Sequence, residues 1–237
     1  MAITKIALWS GPRNISTAMM YSFGNRKDTT IVDEPLFGYF LKHTGAWRPS
    51  RDEALSSMEQ DPSKVINELS NPNIENPVYF MKHMANHLID LDWSVLKNFK
   101  NILLTRDPKD MLLSYYKHIE NPSMLDTGYQ IQLEILNYLL DHKLPFIVLD
   151  SKQVLDSPEQ MMRKLCNKLS IPFTNKMLKW ESGPRKEDGV WAKYWYQNVH
   201  NSTGFNKVKR EDEELPQHLT DLYYQCRECY KKIIEYK

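Results

Sequence analysis

Short apolar runs alternate with amphipathic stretches along this chain, and the two patterns predict strands and helices in turn. Lys5 to Trp9 is a brief apolar run closed by Gly11-Pro12, which favours a buried strand over a helix. Ser16 to Arg26 reads as a helix with Ala18, Met19, Met20 and Phe23 on its apolar face. Thr29 to Val32 is a second β-branched run, ending at Asp33-Glu34-Pro35. From Gly45 to Pro77 the chain is polar and broken by Pro49, Pro62, Pro72 and Pro77, which predicts loops and short helices. Further strands are expected at Val78 to Met81, Asn101 to Thr105 and Phe146 to Leu149. Asp107 and Pro108 suit the N-cap and first position of a helix after the fourth strand. Thr127 to His142 predicts one long helix with Ile131, Ile135, Leu136, Leu139 and Leu140 buried. Helices follow around Glu159 to Leu169 and over Leu222 to Tyr236. Strands alternating with helices imply an α/β fold, with a mostly parallel sheet of about five strands covered on both faces.

The bulk numbers narrow the function classes. The 237 residues, 41% apolar and 26% charged, suit a soluble globular protein, read as one domain over 1–237. A formal net charge of +1 argues against a dedicated nucleic-acid binder. No apolar run approaches the roughly 20 residues that cross a bilayer, and Met1 to Leu8 has no long apolar core of a signal peptide. Three cysteines make no disulfide framework, so a reducing cytoplasm is expected.

Ser10-Gly11-Pro12-Arg13-Asn14-Ile15-Ser16-Thr17 stands between the first strand and the first helix. A helix N-terminus offers unpaired N–H groups and a positive dipole end, an anion site in waiting. Gly11 would let the backbone approach a phosphate; Arg13 brings a planar donor fork, and Ser16 and Thr17 bring hydroxyls. Laid over the triphosphate loop G-x-x-x-x-G-K-[ST], Thr17 matches the last position. Ser16 stands in place of the lysine, Ile15 of the second glycine and Ser10 of the first. Without that lysine, Mg-triphosphate chemistry is not encoded. The bland alternative is a Gly-Pro turn with a serine cap.

The second motif is Leu104-Thr105-Arg106-Asp107-Pro108-Lys109-Asp110, running on to Ser114. Arg106 ends a strand, where open α/β sheets bind ligands, and Ser114 lies about two helical turns on. Together the two segments resemble the PAPS-dependent sulfotransferases. The resemblance is closest to a divergent branch with Ser-Gly-Pro-Arg-Asn-Ile-Ser-Thr followed by Asp-Glu-Pro-Leu, some members of which carry an aminotransferase-like name. Nothing in the sequence resembles a pyridoxal-phosphate enzyme. The resemblance implies a P-loop-like three-layer fold and a sulfotransferase that moves a sulfuryl group from PAPS to a small-molecule hydroxyl or amine. PAP is then the product, and no metal is needed. It assigns Gly11, Pro12, Arg13, Asn14, Ile15, Ser16 and Thr17 to the 5′-phosphosulfate, and Arg106 and Ser114 to the 3′-phosphate. Arg185 and Lys186 resemble, with altered order, a late basic loop that closes on the nucleotide. A P-loop-like small-molecule kinase and a nucleotide-binding module without catalysis are the alternatives.

Sulfuryl transfer needs a base. Glu34 after the second strand and His83 after the third are equal candidates, with Lys82 as stabiliser of the leaving group if it points inward. On a strand Lys82 and His83 face opposite ways, so both serve only if the strand has ended. His83 and His87 lack the glutamate of a zinc-helix pattern, and Cys226 and Cys229 share a helical stripe that reads as core. Phe37, Tyr39, Phe40, Trp47, Trp191, Tyr194, Trp195 and Tyr196 flank the site in sequence, as pocket wall or as core.

Overall fold

A computed structural model describes residues 3–206 and 213–237. In chain order the elements are β1 (Thr4–Ser10), α1 (Ser16–Gly24), β2 (Thr29–Asp33), α2 (Phe37–Thr44), α3 (Arg51–Ser57) and α4 (Pro62–Ser70). Then come β3 (Val78–Met84), β4 (Lys100–Thr105), α5 (Pro108–Tyr115), α6 (Met124–Thr127), α7 (Tyr129–Asp141) and β5 (Phe146–Asp150). The chain continues through α8 (Ser151–Asp156), α9 (Pro158–Lys168), α10 (Ala192–Trp195), α11 (Gln197–His200) and α12 (Thr220–Ile234). The five strands run parallel in the order β2-β3-β1-β4-β5. The order reverses beside β1, so the carboxyl ends of β1, β3 and β4 open onto one crevice.

Two buried clusters cover the two faces of the sheet. Ile6, Leu8, Phe80, Ile102 and Leu104 pack with α1 and α9 residues on one side. Ala7, Trp9, Met81 and Leu103 pack with α7 residues on the other. Side chains alternate along each strand, so burial on both faces requires the near-continuous apolar runs seen in the sequence.

The strand expectations hold, with β3 running on to Met84. Asp107 caps α5 as expected, accepting from Lys109 N at 2.9 Å, with Pro108 at the first turn. The long helix expected from Thr127 forms as α7 but starts two residues later, at Tyr129. Gly128 at φ +74° separates α6 from α7, a left-handed turn that glycine adopts without steric cost. Neither Asp33 nor Glu34 caps α2; that helix starts at Phe37 after a turn through Pro35 and Leu36, and no side chain caps it.

Candidate active site

The loop after β1 is wound by two left-handed residues, Arg13 at φ +59° and Ile15 at φ +61°. Positive φ at β-branched Ile15 costs on the order of 1–3 kcal/mol and persists only where the surroundings impose it. Left-handed residues in alternation aim successive N–H groups into one concavity. Ile15 is the N-cap of α1 and supplies no side-chain cap, so the first N–H groups of α1 are left to an anion. Gly11 also answers a packing demand. A β-carbon there would stand 2.7 Å from the Thr127 carbonyl oxygen, so the glycine lets the loop pack against the α6–α7 junction.

β4 and α5 bring the second motif to the same place. Arg13 Nε donates to Ser114 Oγ at 3.0 Å, and Arg106 Nη1 donates to the Arg13 carbonyl oxygen. Burial lowers the pKa of both guanidinium groups, and at Arg13 the neighbouring charge of Arg106 adds to the effect. Asp110 approaches Arg106 only to 4.0 Å. Two largely desolvated cations, Arg13 held to Ser114 and Arg106 held to the Arg13 backbone, form a site where a bound anion relieves their mutual repulsion. A cavity of about 1000 Å³ opens here, lined by Arg13, Ser16, Thr17, Arg106, Ser114 and Glu34 among others.

Glu34 lines the same cavity, at φ +44°. Its Oε1 accepts from Lys82 Nζ at 2.5 Å. Lys82 Nζ also donates to Asp33 Oδ1 at 2.9 Å and to the Tyr196 hydroxyl. An ammonium has three protons, and all three are taken. The Tyr196 hydroxyl lies 2.7 Å from Asp33 Oδ2 and receives Trp191 Nε1 at 2.9 Å; Gly189 N donates to Asp33 Oδ2 at 3.1 Å. Glu34 Oε2 is the exception: it makes no hydrogen bond among the described residues and is not sealed off from the cavity. Burial raises the Glu34 pKa, with Lys82 opposing it. Burial would also lower the Lys82 pKa, but Asp33 and Glu34 outweigh it and raise it. Lys82 therefore points inward, yet it has no free proton for a leaving group.

His83 does not join the site. β3 extends past it, so Lys82 faces the cavity and His83 the opposite layer, stacked on Trp9 with ring centroids 4.2 Å apart. Both ring nitrogens are buried without partners among the described residues. Burial, and then the charge of Lys82, hold its pKa down at about 3. The unfolded chain, with His near 6.5, thus binds more protons below that pH, and stability falls on acidification by at most about 1.4 kcal/mol per pH unit per histidine. Substituting His83→Phe should flatten that dependence in urea denaturation; an undiminished slope refutes this placement. Arg185 and Lys186 also lie away from the cavity. Arg185 stacks on the Tyr21 ring at 4.3 Å and donates to Asn25 Oδ1 at 2.6 Å, while Lys186 is exposed beside Glu187. Arg185 pins the loop to α1, while Lys186 points to solvent, so neither turns into the cavity.

Among the flanking aromatics, Phe37, Trp191, Tyr194, Trp195 and Tyr196 line the cavity, whereas Trp47 is 68% exposed. Sequence reasoning missed the roles of Asp33, Trp191 and Tyr196, since nothing in their spacing distinguishes them from core residues. No helix of the described residues is long and apolar enough to cross a membrane.

The model of the sulfotransferase domain family matches residues 4–232. Branched-chain-amino-acid aminotransferase-like protein 1 of Arabidopsis thaliana is 40% identical over 215 residues, which are 90% of this chain and 39% of that protein. Its namesake protein 2 is 38% identical over 226 residues, 95% of this chain and 40% of that protein. The chain thus spans about two-fifths of the length of these relatives. A sulfotransferase from Alicyclobacillus acidocaldarius superposes with a TM-score of 0.59 at 10% identity, covering 100% of this chain and 98% of that one. Mouse sulfotransferase SULT7A1, complexed with PAP, gives 0.55 at 14% identity, covering 97% and 84%. With the family model spanning β1 to α12, the chain belongs to the sulfotransferase domain family.

Proposed function

We propose that this protein transfers a sulfuryl group from PAPS to a hydroxyl or amine of a small-molecule acceptor. The observation that carries the reading is a pair of half-buried guanidiniums, Arg13 bonded to Ser114 and Arg106 bonded to the Arg13 carbonyl oxygen, lining one cavity with a glutamate that has an open oxygen. Arg106 and Ser114 take the 3′-phosphate. Arg13 and the N–H groups of the left-handed loop take the 5′-phosphosulfate and absorb the charge that grows on the leaving phosphate. Arg13 thus does what was expected of Lys82.

Glu34 Oε2 accepts the acceptor's proton as its oxygen bonds to sulfur and the bond from sulfur to the 5′-phosphate oxygen breaks, leaving PAP. A pKa raised by burial suits a carboxylate to that task. Alignment of acceptor, sulfur and leaving oxygen supplies the rest. No step calls for a metal. The single-domain reading and a reducing cytoplasm are kept as part of this proposal; all three cysteines are free thiols.

A thermal-shift comparison tests the donor. PAP at 100 times its Kd should add roughly 2.7 kcal/mol, about 5–11 °C in Tm for a chain of this size. ATP with Mg²⁺ should give no comparable shift. The reverse order would favour the kinase reading, and PAP binding with no turnover of any acceptor would favour a binding module.

A further inference from the structure

Two neighbouring residues of one short segment touch both ends of the cavity. The Trp195 carbonyl oxygen accepts from Arg13 Nη1 at 3.0 Å. Tyr196, the next residue, is buried and sends its hydroxyl into the cluster around Glu34. A phenol hydroxyl carries one proton and two lone pairs. Here the proton goes to Asp33, and the lone pairs receive Lys82 Nζ and Trp191 Nε1. Packing alone does not need this arrangement. Phenylalanine would fill nearly the same volume, leaving a Lys82 proton and Trp191 Nε1 unmet and Asp33 short of a donor.

We propose that Tyr196 is a positioning residue for Glu34: its hydroxyl fixes Lys82 between Asp33 and Glu34, and so holds Oε1 while Oε2 stays open to the acceptor. The role rests on the reading of Glu34 as the base. It ties base placement to the donor site, because the peptide that seats on Arg13 also delivers the tyrosine. Tyr196 comes from a segment more than a hundred residues away from β2 and β3, so the base is complete only when that segment is docked.

The consequence is readable without an acceptor. Lys82 is the principal charge opposing the effect of burial on Glu34. Without the hydroxyl, Asp33 loses one of its three donors and draws Lys82 toward itself, so Glu34 becomes harder to ionise. Glutamate labelled with ¹³C at the carboxyl carbon gives this residue a signal of its own, identified by its loss in Glu34→Gln. In Tyr196→Phe the midpoint of that signal should rise by about one pH unit, while the Kd for PAP stays within about threefold of the parent. Trp191→Phe, which removes a donor to the same hydroxyl, should move it in the same direction by less. An unmoved midpoint in both folded variants overturns the positioning role. Failure of PAP to bind either protein would instead overturn the sulfotransferase reading, with the carboxyl titration still deciding the role of Tyr196.

Discussion

Arg106→Ala should weaken PAP binding by about 2–5 kcal/mol, between roughly 30-fold and several thousand-fold in Kd by isothermal titration calorimetry. The range is that of removing one partner from a desolvated charge pair. Two losses combine in it. The first is the cation that faces the 3′-phosphate. The second is the hydrogen bond from Arg106 to the Arg13 carbonyl oxygen, which holds the left-handed turn of the loop. Without it, the loop loses a restraint that keeps Arg13 and its N–H groups aimed at one point. Arg106→Lys should recover only part of the affinity, because an ammonium cannot present the same planar fork. A Kd unchanged by Arg106→Ala would remove the residue from the site.

Glu34→Gln should lower kcat by about 10²–10⁴ and leave the Kd for PAP unchanged. The substitution keeps the shape of the side chain and an oxygen to receive Lys82, but its other atom is an amide nitrogen that takes no proton. The parent enzyme's turnover should rise with pH through the Glu34 pKa, which burial holds above the ordinary carboxylate range. In the variant that acidic limb should vanish. Full turnover in Glu34→Gln would eliminate Glu34 as the base. Since His83 lies on the other side of β3, the search would then turn to groups on the cavity wall.

Much of the fold was legible because apolar runs of four to seven residues, bounded by Gly, Pro or Asp, leave few alternatives to a buried parallel strand. The break at Gly128 was not legible: the apolar spacing on either side of it continues a helical period, and only the left-handed φ of the glycine interrupts it. The late loop misled for a similar reason. Arg185 and Lys186 have the residue types of a phosphate grip, but direction is not encoded in composition, and Arg185 finds Tyr21 and Asn25 instead.

The loop Ser10 to Thr17 and the Arg106–Ser114 segment could be picked out as candidates from sequence alone, because each is local: a strand end, a turn and a helix start within about a dozen residues. Which of Glu34 and His83 lines the cavity was decided only by the tertiary structure. It turned on whether β3 ended before or after His83, and the parallel pairing that carries it to Met84 was supplied by β1. The Glu34 cluster is likewise non-local. Asp33, Lys82 and Tyr196 share no spacing that marks them, and only the packing of the late segment over β2 and β3 brings the tyrosine hydroxyl to the lysine that holds Glu34.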